Sequence, residues 1–174
     1  IPGALLLAAA IGCSQKPAEA EKPPTAPAPG EVGKLVSAAL AGKPAGGISV
    51  RDALTRPEGE KAAVTGRVPG GNLKPFNAAV AAVVLMAPED LDKEEIKNEF
   101  ECEDAATCPA CKKVRDKHGV YVEVVDQSGS PLSVPLEGFR GLQKGSTITV
   151  EGKVEKFGKD KKLVRIVATR FYPG

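Results

Sequence analysis

The stretch Ser146 to Phe171, STITVEGKVEKFGKDKKLVRIVATRF, decides how the chain folds. Its first half alternates: Ile148, Val150 and Val154 point one way, while Thr147, Thr149, Glu151, Lys153 and Glu155 point the other. A period of two marks a strand with one buried face. Gly158-Lys159-Asp160 supplies turn residues, and Lys162 to Phe171 returns as a second strand. The spacing predicts an antiparallel hairpin.

Working outward, Gly119 to Asp126 (GVYVEVVD) reads as a strand that Gln127 to Ser130 turns, and Pro135 to Lys144 has room for one helical turn. Ala78 to Met86 (AAVAAVVLM) is almost continuously apolar, as a central strand buried on both faces would be. Glu60 to Val68 is the first strand; Val32 to Leu40 and Ile48 to Leu54 read as short helices, the latter with Ser49 as N-cap. Five strands, a short helical element between the third and fourth, and a closing hairpin form the order of a mainly β, OB-like Greek-key barrel. An open β-sandwich is the structural alternative. Gly66 and Gly152 then sit where strands bend at barrel corners, because a residue without Cβ tolerates close backbone approach. The segment KGSTITVEGKV, Lys144 to Val154, resembles the closing hairpin of bacterial OB-fold families of nucleic-acid-binding type, and also that of small OB-fold lipoproteins of bacteria. The resemblance spans Ile48 to Tyr172 and implies a binding role.

The N-terminal segment reads as an address. Ile1 to Ile11 (IPGALLLAAAI) is apolar and uncharged, too short to span a bilayer and of signal-peptide length. Ala10-Ile11-Gly12-Cys13 resembles a lipobox, which implies that Cys13 is diacylated and becomes the mature N-terminus of a bacterial lipoprotein. Gln15 to Gly30 is a Pro/Ala/Glu tract without large apolar side chains, suited to an extended spacer. The organisation expected is a leader over residues 1–12, a lipidated linker over 13–33, and an OB-like domain over 34–174 with an insertion at 87–118. The resemblance places the protein in the bacterial envelope, facing the periplasm or at the outer membrane, with the lipid anchor as its membrane partner.

The insertion, between the second and third of these strands, carries the chemistry. Asp92 reads as a helix N-cap with Glu95 completing a capping box, and Ile96 and Phe100 share the buried face of that helix. Cys102, Cys108, Cys111 and the chain's single histidine, His118, follow in the pattern C-x5-C-x2-C-x6-H. Three thiolates and an imidazole make a tetrahedral zinc set. Pairing of cysteines in an oxidising envelope is an equal alternative. A third reading is a redox dithiol at Cys108-Pro109-Ala110-Cys111, which requires the first thiolate at a helix N-terminus. Covalent haem attachment is the weakest reading, because Lys112 stands where that signature needs histidine.

Composition and charge narrow the function. A net charge of +2 gives no case for a polyanionic partner by itself, although Glu89 to Asp104 is acidic and Lys153 to Arg170 basic, two faces expected to attract one another. The chain carries no phosphate-binding loop, HExxH motif or dinucleotide fingerprint, and one histidine leaves little room for nucleophilic catalysis. It reads as non-catalytic, binding an envelope protein, glycan or small ligand. Single-stranded nucleic acid is a lesser alternative, since it would need Tyr121 for stacking and Lys156, Lys159, Lys161, Lys162 and Arg165 for phosphates. The same residues form the candidate ligand surface in the leading reading.

Overall fold

The computed structural model describes residues 29–105 and 107–174. Cys13, the leader and most of the proposed linker lie outside them. Helix α1 (Pro29–Ala38) begins inside the stretch assigned to the linker. Proline is well placed at a first helical position, and Leu35 and Ala38 give the helix a buried side.

Six strands form one mixed sheet, where five were expected: β1 (Ile48–Ser49), β2 (Lys61–Arg67), β3 (Ala82–Met86), β4 (Gly119–Val124), β5 (Thr147–Phe157) and β6 (Leu163–Pro173). The extra strand is β1, a two-residue parallel addition to β2 that runs straight into α2 (Val50–Thr55). Ser49 caps α2 as expected, in a capping box completed by Asp52. The sheet order is β1-β2-β3-β4-β6-β5, and β2 pairs again with β5. Hydrogen bonding therefore travels around a partly closed ring. The β2–β5 seam runs from Lys61↔Lys153 to Arg67↔Thr147, whereas β2 meets β3 only at Arg67↔Met86. The β4–β6 pairing is parallel, and the rest of the ring is antiparallel.

Strand β3 is shorter than the apolar run that encodes it. The Asn77 side-chain oxygen accepts the N–H groups of Ala79 and Val80 at 2.8 and 3.2 Å, so the first residues of that run turn before the strand starts. Within β3 both faces are buried: Val83 and Leu85 face the ring interior, and Met86 packs into a second, smaller core. On β6 the inward positions are Val164, Ile166 and Ala168, then Phe171. A bulge opposite Glu151 and Gly152 inserts Thr169 and shifts the phase by one. Thr149, assigned to the outward face, is buried as well. Its hydroxyl lies 2.9 Å from that of Thr65 across the β2–β5 seam, beneath the turn at Gly47.

Both corner glycines are sterically required. A Cβ on Gly66 would stand 2.7 Å from Val50 Cγ2 and 2.9 Å from Leu85 Cβ. One on Gly152 would stand 2.7 Å from Ala168 Cα and press on the Val167 carbonyl. Backbone on the neighbouring strand cannot yield as a side-chain tip can. Gly152→Ala is therefore expected to lower the unfolding free energy by about 2–3 kcal/mol, measured by urea denaturation. Gly70→Ala, with open space around it, should stay within about 0.5 kcal/mol of the wild type.

Candidate functional site

Between β3 and β4 the chain leaves the ring to build a small lobe from α3 (Pro88–Leu91), α4 (Glu94–Phe100) and α5 (Pro109–His118). Asp92 is not the N-cap of a longer helix. Pro88 starts a separate turn that Asp92 ends, and the carbonyl of Lys93 accepts the first α4 hydrogen bonds, from Ile96 and Lys97. Ile96 and Phe100 are buried together, as their spacing predicts, with Leu73, Met86, Ala105 and Cys111. Asn72 ties the lobe to the β2–β3 loop, its amide N–H donating to Phe100 O and its side chain to Glu101 O, at 2.8 and 2.9 Å.

A buried carboxylate holds the base of the lobe. Asp90 is only 2% exposed and takes two hydrogen bonds from the Arg51 guanidinium of α2, plus one from Lys93 Nζ at 2.7 Å. The Arg51 hydrogen bonds hold its carboxyl far below the usual carboxylate range, Lys93 adding to the effect against the cost of burial. His118 ends α5 with Nδ1 3.6 Å from Asp90 Oδ2. It does not join the cysteines: a helix of ten residues rises about 15 Å, and Cys108 stands at its other end. The Cys₃His set expected from spacing is not assembled, because the helix that brings Cys108 and Cys111 onto one turn carries His118 away.

The three cysteines do converge. Cys102 follows α4, Cys108 is the N-cap of α5, Cys111 lies in its first turn, and their sulfurs all fall within 4.8 Å of one another. A group of this kind can hold a metal ion. The first-turn amides reach toward Cys108 without a capping hydrogen bond of standard geometry. With the Cys111 amide foremost, they lower the Cys108 thiol pKa. Cys111 is buried and pushed up to about 12, first by desolvation and then by its sulfur neighbours. Its S–H donates to the Glu99 carbonyl at 2.8 Å, and the Glu99 carboxylate lies 4.0 Å from the same sulfur. Sequence reading did not single out Glu99. Its signal was the three-residue step to Cys102, the same step that separates Cys108 from Cys111.

A second feature is a cleft of about 340 Å³ on the β3–β4–β6 face. Tyr121 and Arg165, expected as ligand residues, meet there with Phe157 and Arg115. The Tyr121 and Phe157 rings contact edge to face at 5.4 Å, and Arg165 lies over Phe157 while pairing with Glu123 and Glu155 at 2.9 and 2.7 Å. The Tyr121 hydroxyl donates to Asp116 at 2.5 Å, and burial foremost raises its pKa. The four lysines expected beside them do not line this cleft. Lys156 donates to Leu54 O, Lys161 pairs with Glu58, Lys159 is exposed in the turn, and Lys162 lines a separate groove with Lys112, Lys113 and Lys117. No ion pair joins the acidic segment to the basic one among the described residues. Among the described residues Glu89, Asp90 and Asp92 pair with Arg51, Arg67 and Lys93, while Arg165 and Arg170 pair with glutamates of the ring strands.

No family model matches the chain, and no curated protein matches it.

Two outcomes follow from this geometry. Asp90→Asn should cost about 2 kcal/mol, since it takes the buried counter-charge from Lys93 and leaves Arg51, itself partly exposed, only the looser 3.6 Å pair with Glu89. Asp90 is more acidic folded than unfolded, so its contribution is complete above about pH 4 and is lost as pH falls toward the folded value. Acid titration of stability should be shallower in the Asn variant. In reduced, metal-free protein, limiting iodoacetamide at neutral pH should alkylate Cys108 well before Cys111, as read by peptide mass analysis.

Proposed function

We propose that the chain is a non-catalytic binding protein of the bacterial envelope, tethered through lipid on Cys13, whose ring is an OB-like Greek-key barrel. The strand path β2-β3-β4-β6-β5-β2, with its parallel β4–β6 step, supports that fold. The observation that carries the function is the cleft where Tyr121, Phe157 and Arg165 meet. The Arg165 guanidinium is already compensated by two carboxylates, and the rings of the cleft offer apolar faces. Such a surface suits a neutral or mixed ligand with ring faces and many hydroxyls better than a polyanion, and an envelope glycan has that chemistry. The single-stranded nucleic-acid reading loses support because its lysines do not converge on the cleft.

In this reading the lobe is stapled by a zinc-class ion on Cys102, Cys108 and Cys111. Among the described residues its core holds six buried side chains, few to hold three short helices without a staple. A thiol–disulfide exchange protein is the second reading, favoured by Cys108 at the N-cap of α5 with Cys111 buried one turn on.

Titration calorimetry with soluble peptidoglycan fragments and, in parallel, an oligothymidylate tests the ligand. Fragment binding that weakens at least about tenfold in Tyr121→Ala and Arg165→Ala supports the proposal. Binding of the oligonucleotide alone, falling steeply with salt, overturns it. Metal analysis with thiol counting separates the two lobe readings: one zinc per chain supports the staple, and a metal-free dithiol that cycles with mild reductant supports the rival. Palmitate label that enters the wild-type protein and is lost in Cys13→Ser supports the anchor, and unlabelled wild type removes it.

A further inference from the structure

We infer that Glu99 supplies the fourth ligand of the lobe's metal centre, which makes it a three-thiolate, one-carboxylate site for a borderline-soft divalent ion of the zinc class. The inference rests on the metal reading of the cysteines.

Helix α4 packs against α5, and each presents a pair of donors three residues apart. Glu99 and Cys102 come from the end of α4, and Cys108 and Cys111 from the start of α5. Cys102 lies just past the C-cap of α4 and Cys108 is the N-cap of α5, so these donors come together where the two helix ends face each other. A zinc ion with sulfur at about 2.3 Å and oxygen at about 2.1 Å sets tetrahedral edges of about 3.8 Å between sulfurs and about 3.6 Å between sulfur and oxygen. The sulfurs lie within 4.8 Å of one another, and Glu99 Oε2 lies 4.0 Å from Cys111 Sγ. The sulfur–sulfur edges and the Glu99–Cys111 edge need shorten by no more than about 1 Å, and Glu99, which stands outside the group of mutually close sulfurs, completes the set by swinging its carboxylate toward Cys102 and Cys108.

Glu99 is also available. Its carboxylate makes no ion pair among the described residues, although lysines lie nearby in sequence at positions 93, 97, 112 and 113. Its main-chain carbonyl already accepts the Cys111 thiol, which registers the two residues against each other. When an ion binds, that thiol proton leaves and the sulfur turns its lone pair inward. Three thiolates and a carboxylate around a divalent ion sum to two negative charges, and the positive end of α5 lies against Cys108 to offset them. His118, the obvious fourth ligand by residue type, lies beside Asp90 at the opposite end of the helix.

The test is zinc affinity by chelator competition, together with cobalt(II) spectra, on wild type, Glu99→Gln, Glu99→His, Glu95→Gln and Cys102→Ser. Loss of at least about tenfold in affinity is expected for Glu99→Gln and not for Glu95→Gln, the exposed carboxylate one turn back. Glu99→His should recover tight binding and shift the cobalt bands, since an imidazole can replace the carboxylate. Added imidazole should perturb the cobalt spectrum of Glu99→Gln, whose fourth position is open, and leave the wild type unchanged. If Glu99→Gln binds as tightly as wild type while Cys102→Ser loses the ion, Glu99 is not a ligand and the three-thiol reading survives. If wild type takes up neither zinc nor cobalt, the metal reading itself is wrong.

Discussion

Strand β5 hydrogen-bonds along both of its edges, to β2 through residues 147–153 and to β6 through residues 148–157. A strand can serve two partners that diverge in direction only if it bends where they part. Gly152 is that place, and the Thr169 bulge lies across from it on β6. With the bend in place, β2 and β6 become edges of the same ring, and Val64, Val150, Ile166 and Phe171 are enclosed in one core. Helix α1 can then lay Leu35 against that core, with the Leu40 amide reaching Phe171 O at 2.7 Å. Without the bend the hairpin would remain a flat ribbon, and the parallel β4–β6 step would have nothing to join.

The lobe depends on the ring in a different way. Its few buried side chains include Leu73 and Met86, which belong to the ring's loop and strand, so it borrows part of its core. The Arg51–Asp90 contact does the same with charge, binding α3 to α2 through a carboxylate that is nearly inaccessible to water. Ring and lobe share β3, whose two faces serve the two cores. Convergence of the cysteines at the junction of α4 and α5 is where a metal would act, because it would link those two helices to each other.

Much of this was legible in residue order. Alternation at Ile148, Val150 and Val154 located β5, Gly158 located its turn, and the Ile96–Phe100 spacing located the buried side of α4. The C-x5-C-x2-C spacing was enough to bring the three thiols under suspicion, and Tyr121 and Arg165, named separately for stacking and for charge, line one cleft. What was misread has a common cause. Thr149 looks outward by alternation, yet a turn from another part of the chain covers it. His118 looks like a ligand by type, yet helical rise removes it from the cluster. Lys156 and Lys162 lie on the same hairpin as Arg165 but leave it on other sides.

Local pattern was sufficient wherever the deciding interaction joins residues a few positions apart. A strand's period, the Ser49 N-cap and the two-residue spacing of Cys108 and Cys111 are all of that kind. Tertiary structure alone decided which strand meets β2 a second time, which carboxylate buries against Arg51, and which carboxylate stands beside Cys111. Those outcomes depend on distances between segments that are remote in the chain. Such distances are set by ring closure and helix length, and no short window of sequence contains either.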